Sequence, residues 1–266
     1  MHKSSKVVYS YKMKIYFLGT NGWYTSPTGN TPCILIDSKD CYVIFDAGNG
    51  IYKIDRYIKG DKPISLFISH FHLDHVSGFH TLNKFHFKQG LEIYIAKGRK
   101  KDFDLLVNPP YTLGITEAKT SVLSLSTKVT VHELEEGEND IGFPVRITKL
   151  YHAYGNHGFR VLLEGKSIAY SGDTKRGLNG LLIAQDADLL IHECSNVVSP
   201  EPDLWGHTDP VQTAQFAKDV GVKKLILTHF GAHVYDTLEK RKAAEEKARE
   251  IFPNTVAATD DLIVEI

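Results

Sequence analysis

The segment Phe67-Ile68-Ser69-His70-Phe71-His72-Leu73-Asp74-His75 constrains this chain more than any other. It places three imidazoles and a carboxylate directly after an apolar, β-rich run over 64–68. Imidazole is seldom fully buried, and three rings meeting at one strand end either share a site or repel when charged. Neutral ring nitrogens beside a carboxylate suit Zn²⁺ and similar transition metals. Order matters as much as residue type. In extended backbone His70 and His72 project to the same side, so one ion can take both. As the chain turns toward a helix, Asp74 and His75 swing to a different direction and can serve a second ion. A histidine-rich surface loop is the bland alternative, and the motif disfavours it.

A two-metal site needs more ligands than these four, and the chain supplies them at the ends of apolar runs. His152 follows the alternating run 143–151, Asp173 sits in Ser171-Gly172-Asp173-Thr174 after the run 167–170, and His229 ends the run 224–228. Each candidate lies where a strand stops and a loop begins, which is where scaffolds of this kind carry their chemistry. One such residue alone would be structural more often than not. Their shared position beside the first cluster argues for a common site.

With these motifs in view, the chain resembles the metallo-β-lactamase fold superfamily, and within it the ribonuclease Z-like branch. The resemblance runs from Met13 onward. It covers Lys14-Ile15-Tyr16-Phe17-Leu18-Gly19-Thr20, Asn30-Thr31-Pro32-Cys33, Phe45-Asp46-Ala47-Gly48, the histidine segment, Ser171-Gly172-Asp173-Thr174, His192-Glu193, Gly206-His207-Thr208 and Leu227-Thr228-His229. The His-Glu and Gly-His-Thr pair narrows it to phosphodiesterases. The resemblance implies an α/β fold, the αββα four-layer sandwich, with metals at one sheet edge.

The residue patterns agree with that architecture. Strand-like runs fall near 13–18, 32–37, 41–46, 64–68, 91–96, 122–134, 143–151, 158–163, 167–171, 187–191, 223–228 and 255–265. Helical patterns fit 50–58, 76–82, 178–185, 209–220 and 237–251. Thr208-Asp209-Pro210 reads as a helix start and Gly221 as its stop. The stretch 99–121, around Asn108-Pro109-Pro110-Tyr111, reads as a loop or small insertion.

At 266 residues, with no linker, repeat or low-complexity block, residues 13–266 are expected to form a single hydrolase domain, and 1–12 a flexible extension or tag. No apolar run reaches membrane-spanning length and the N-terminus has no secretory h-region. Cys33, Cys41 and Cys194 are too few and scattered for a disulfide framework. A cytoplasmic location is expected, or a host cytoplasm if the protein is phage-encoded.

Charge and spacing bear on the substrate. The net charge is −1 and the basic residues are dispersed, whereas proteins that grip long nucleic acids show a basic patch or stripe. Short ribonuclease Z enzymes carry their tRNA-gripping arm between the third metal histidine and the bridging aspartate. Here that interval, His152 to Asp173, has room for one hairpin only. A small phosphodiester is therefore favoured and tRNA disfavoured.

The resemblance also implies ligand roles. His70, His72 and His152 would hold one ion, Asp74, His75 and His229 the other, and Asp173 would bridge. The expected cofactors are two Zn²⁺ ions roughly 3.5–4 Å apart, with Mn²⁺ or another divalent metal possible, which lower the pKa of a shared water. Asp74 has a second candidate role, taking the proton of the attacking water. His207, oriented by Glu193, is the candidate general acid for the leaving oxygen. Tyr111 and His233 are candidate substrate contacts, Tyr111 as a base-stacking ring, which would stack in the partner's site if its loop reaches across the expected homodimer. His80, His86, His132 and His157 take the bland surface or half-buried reading.

Three functions follow. The first is hydrolysis of a small phosphodiester, above all a cyclic nucleotide, since compact arm-less relatives include the phage anti-Pycsar proteins that destroy cyclic nucleotide signals in bacterial immunity. The second is ribonuclease Z-type cutting at the tRNA 3′ end. The third, from another class, is a nucleotide-sequestering binding protein, disfavoured because mere binding needs no water-activating dimetal centre. Lactamase or lactonase turnover would be a side activity.

Overall fold

The computed structural model describes residues 12–112, 114, 127–175, 177–200 and 204–266. Among these, two seven-stranded sheets carry the architecture. The first runs in the order Leu262–Glu265, Lys14–Gly19, Cys33–Asp37, Tyr42–Phe45, Ile64–Phe67, Leu91–Ala96 and Val129–Leu134. Its first three pairings are antiparallel and its last three parallel. The second runs Thr255–Ala257, Leu225–Thr228, Leu189–Glu193, Lys166–Tyr170, Asn156–Leu163, Pro144–Leu150 and Gly137–Asp140. There the first three pairings are parallel and the last three antiparallel.

Strand periodicity splits the apolar residues between layers. On Cys33–Asp37, Ile34 and Ile36 face the space between the sheets while Cys33 and Leu35 face outward, and Val43 and Phe45 alternate with Tyr42 and Ile44 in the same way. Aromatic side chains fill the inter-sheet layer, with ring centroids 4.9 Å apart for Phe45 and Tyr170 and 5.2 Å for Phe67 and Phe159. On the outer face of the first sheet lie two 3₁₀ segments, Asn49–Arg56 and Ser77–Lys84, and the helix Lys100–Val107, which bury Ile51, Ile54, Phe79 and Phe103. On the outer face of the second lie the helices Leu178–Ala184, Pro210–Asp219 and Leu238–Arg249, which bury Ile183, Phe216 and Ala248. Three apolar interfaces between four layers make the expected αββα sandwich. Covered on both faces, central strands such as Ile64–Phe67 are buried at every position.

Most sequence expectations match. Asp209 caps the helix Pro210–Asp219 by accepting from the Val211 and Gln212 amides, and Gly221 stands just beyond it with φ +70°. Two expectations are corrected, and one strand lies where none was expected. The stretch 99–121 contains the helix Lys100–Val107, whose buried Phe103 and Val107 lie one turn apart. This apolar signal is too short to stand out against four charged neighbours. The run 255–265 is two strands in different sheets, parted at Thr259-Asp260-Asp261. There Asp260 accepts from Asn30 N–H at 3.0 Å and Lys53 Nζ at 3.0 Å. The polar edge strand Gly137–Asp140 was not anticipated, because its composition reads as a turn. Within the predicted strand 122–134, pairing is seen from Val129, while 122–126 lie outside the described residues. Of the predicted extension 1–12, only Lys12 is described. No helix among the described residues is long and apolar enough to cross a membrane.

This topology positions the site. In the second sheet, Pro144–Leu150, Lys166–Tyr170, Leu189–Glu193 and Leu225–Thr228 all run in the same direction. Their carboxyl ends deliver His152, Asp173, Glu193 and His229 to one edge.

Candidate metal centre

The predicted ligands converge into two adjoining groups. In one, His70 Nε2 lies 3.0 Å from His72 Nδ1 and 3.8 Å from Asp173 Oδ2, and His152 Nε2 lies 3.2 Å from His72 Nδ1. In the other, His75 Nε2 and His229 Nε2 are 3.1 Å apart, and Asp74 Oδ2 is 3.7 Å from the first and 3.2 Å from the second. Asp173 faces both groups, because its other oxygen, Oδ1, lies 3.2 Å from His75 Nε2 and 3.1 Å from His229 Nε2. Nitrogen and oxygen ligands about 2.0–2.1 Å from a tetrahedral ion sit roughly 3.4 Å from one another, so these spacings fit such an ion.

Charge makes the same point. Burial holds His70 well below the ordinary imidazole range and lowers His72 and His152 as well, so these rings are neutral and keep a lone pair to donate. Burial alone would raise Asp173 and Asp74, but the surrounding histidines outweigh it and hold both carboxyls below their usual range. Burial would lower His75, yet the carboxylates of Asp173, Asp74 and Asp46 push it well above the ordinary imidazole value. So much buried negative charge calls for cations. Asp173 Oδ1 is buried without a hydrogen-bond partner, as an atom reserved for a metal would be. The donor set therefore fits divalent ions.

Around these ligands stands a supporting layer that sequence reasoning largely missed. Asp46, which no sequence pattern marks as a supporting residue, is fully buried and accepts from His75 Nδ1 at 2.7 Å, Ser69 Oγ at 2.8 Å and Tyr170 Oη at 2.5 Å. Ser195 Oγ holds His229 Nδ1 at 2.8 Å. Each partner fixes which ring nitrogen is left for a metal. For Asp46 the signal lies in burial rather than pattern, since an acid ending a strand buried on both faces must have a partner. Ser195 gave no signal.

Backbone strain gathers here too. Asp46, His229 and Trp23 all have left-handed φ, at +60°, +51° and +75°. A side chain at Gly22 would put its Cβ 2.5 Å from the His229 ring, so only glycine lets the Trp23 loop close over that histidine. Closure brings the Trp23 amide to 2.7 Å from Asp74 Oδ2.

Glu193 and His207 meet as expected. The Glu193 carboxylate is buried, with Oε1 accepting from His207 Nδ1 at 2.8 Å and the Thr174 amide at 3.0 Å, and Oε2 from the Ser195 amide at 3.0 Å. Burial opposes its charge, but His207 lowers its pKa. The His207 ring centroid lies 5.2 Å from that of His152. His207 also lines an open cleft of about 730 Å³ that includes His72, Asp74, Asp173, His229 and His233. Tyr111 is exposed and does not line the cleft of its own chain, nor do His80, His86, His132 and His157.

Residues 42–230 match the family model described as the Beta-lactamase superfamily domain. The chain belongs to that superfamily. Within the superfamily it is 30% identical to the ribonuclease Z of Ligilactobacillus salivarius, covering 93% of this chain and 95% of that one. The solved structure of the metallo-beta-lactamase fold protein YhfI from Bacillus subtilis has a TM-score of 0.75 at 22% identity, covering 96% of this chain and 99% of that one. Human tRNase Z, short form, gives 0.72 at 24%, covering 94% and 98%. At such identities the two structures speak for the fold alone. With the buried His/Asp cluster, superfamily membership makes the chain a metal-dependent hydrolase.

Proposed function

We propose that this superfamily member hydrolyses phosphodiesters in the manner of ribonuclease Z, with two divalent ions, Zn²⁺ or Mn²⁺, held by His70, His72 and His152, by Asp74, His75 and His229, and by Asp173 between them. The observation that carries this reading is the pairing of buried Glu193 with half-buried His207, which opens into the same cleft as the ligand cluster. Bound ions would supply Lewis acidity, offsetting charge on the phosphoryl oxygens and lowering the pKa of a water. The protein's own groups do the rest. Glu193 fixes the His207 Nδ1 proton, so Nε2 is the atom that gives a proton to the departing oxygen. Asp74 is anchored by the Trp23 amide through Oδ2, and its carboxylate can take the proton lost by the attacking water. A binding module that only sequesters nucleotides would need neither proton carrier.

The relatives shift the weight between the two substrate readings. A ribonuclease Z at 30% identity favours RNA cutting over the cyclic nucleotide reading taken first from the sequence. Cyclic nucleotides stay as the second reading because of the missing arm. The alignment with the Ligilactobacillus salivarius enzyme spans 304 residues against 266 here, so some aligned positions have no counterpart in this chain. Between His152 and Asp173 the chain is occupied by the hairpin Asn156–Leu163 and Lys166–Tyr170. A homodimer is the setting in which Tyr111 could reach a cleft, that of the second copy. The test is turnover of precursor tRNA, dinucleoside monophosphates, cyclic mono- and dinucleotides and a chromogenic phosphodiester by the metal-loaded protein. Hydrolysis of none of them overturns the proposal. Cleavage of cyclic nucleotides alone moves it to the second reading.

A further inference from the structure

The chain has two tryptophans, and both line the cleft with their side chains in solvent. Trp23 is 67% exposed and Trp205 57%. Large flat apolar rings are usually buried, and an exposed pair flanking one catalytic cleft marks a surface that something covers.

Their positions are not equivalent. Trp23 stands beside the second ligand group, its amide bonded to Asp74 Oδ2 at 2.7 Å and its ring set edge-on to His233 at 5.3 Å. Trp205 stands beside the first group. Its carbonyl accepts from the Ala153 amide at 3.1 Å, next to His152, and its ring lies 6.2 Å from that of Tyr154. Tyr154 in turn lies 5.6 Å from the His72 ring. Each ligand group thus has its own aromatic wall. A phosphodiester lying across both groups carries one ester arm toward each wall.

We infer that Trp23 and Trp205 are stacking platforms for two nucleobases, one on each side of the scissile phosphate. The substrate class is then a phosphodiester joining two nucleosides, as in a single-stranded RNA end or a dinucleotide. A cyclic mononucleotide has one base and would leave one wall bare. The inference rests on the phosphodiesterase reading above and deepens it. The cleft, at about 730 Å³, is within the roughly 300–1,000 Å³ range of small-molecule sites, large enough to seat the scissile unit but not a folded RNA.

Two measurements test this on the full, metal-loaded chain. In the first, Trp23→Ala and Trp205→Ala should each raise KM for a dinucleoside monophosphate by roughly 5- to 150-fold, the loss expected when a stacking ring is removed. Trp→Phe at either place should recover most of it, and in Trp205→Ala KM for methyl p-nitrophenyl phosphate should hardly move. In the second, Trp23→Phe and Trp205→Phe each leave one tryptophan, so a slowly cleaved dinucleoside phosphorothioate should quench the emission of both variants, whereas a cyclic mononucleotide should quench one only. Unchanged KM in both alanine variants, equal loss on the base-free ester, or emission that stays unmoved in either variant overturns the inference. A wild-type protein that cleaves no phosphodiester sinks the phosphodiesterase reading instead, and the quenching experiment still decides whether bases bind.

Discussion

Replacing Glu193 by glutamine changes one oxygen for an NH₂ group, and the surroundings make that small change expensive. In the native site each carboxylate oxygen accepts two N–H bonds, from Thr174 and His207 on Oε1, and from Ser195 at 3.0 Å and Thr208 at 3.3 Å on Oε2. No orientation of an amide satisfies all four. With its oxygen toward Ser195 and Thr208, its nitrogen meets the Thr174 N–H donor to donor and leaves that amide without an acceptor. A buried unsatisfied donor costs about 1–3 kcal/mol, and a lost charge-assisted bond about 1.5–3 kcal/mol. Glu193→Gln should therefore lose roughly 2.5–6 kcal/mol of stability, read from denaturant unfolding in the metal-loaded protein.

The kinetic consequence is separate. An amide in this place donates to His207 Nδ1, which moves the ring proton to Nε2 and withdraws the negative charge that stabilises a cationic ring. A neutral imidazole is a poor acid toward an alkoxide. Turnover of a nucleoside ester should fall by about 10²–10⁴-fold, the range that general acid catalysis supplies, with metal content unchanged. The loss should shrink toward unity for a p-nitrophenolate leaving group, which departs without a proton. His207→Ala should show the same dependence on leaving group. An equal loss across a series of leaving groups would place Glu193 and His207 in structure or binding and refute the acid assignment.

Asp173→Ala should abolish turnover and lower bound metal by elemental analysis, because Asp173 alone offers an oxygen to both ligand groups; two metals and full activity in that variant would remove the bridging role. Asp46→Ala leaves His75 Nδ1 without its 2.7 Å partner and should weaken metal affinity by about 10–100-fold, measured by competition with a chromogenic chelator, and a change below twofold would show that the ring is oriented without it. Prolonged chelation should extinguish hydrolysis and added Zn²⁺ or Mn²⁺ restore it, so activity that survives verified metal loss would defeat the dimetal reading.

The site was far more legible in the sequence than its surroundings, for a physical reason. A metal ligand has to be one of a few residue types and has to end a rigid element, so His70, His72, His152, Asp173 and His229 stand out at the ends of apolar runs. The supporting layer obeys no such rule. Ser195 can hold His229 because any short hydroxyl at that point of the fold would, and nothing in the letters around it says so. The aromatic walls show a third case. Tyr111 stands in a stretch that reads as a loop, and Trp23 and Trp205 read the same way, each beside a glycine in a polar stretch. What separates them is where the loops end up. The Trp23 loop closes on Asp74 through its amide, which donates to the carboxylate, and the Trp205 loop closes on Ala153 through a main-chain hydrogen bond. Neither bond involves the side chain of the tryptophan, so the letter W itself does not announce it. Ligand identity is therefore readable from sequence where the chemistry selects the residue, whereas substrate contacts made by loops depend on main-chain closure and have to be read from the folded chain.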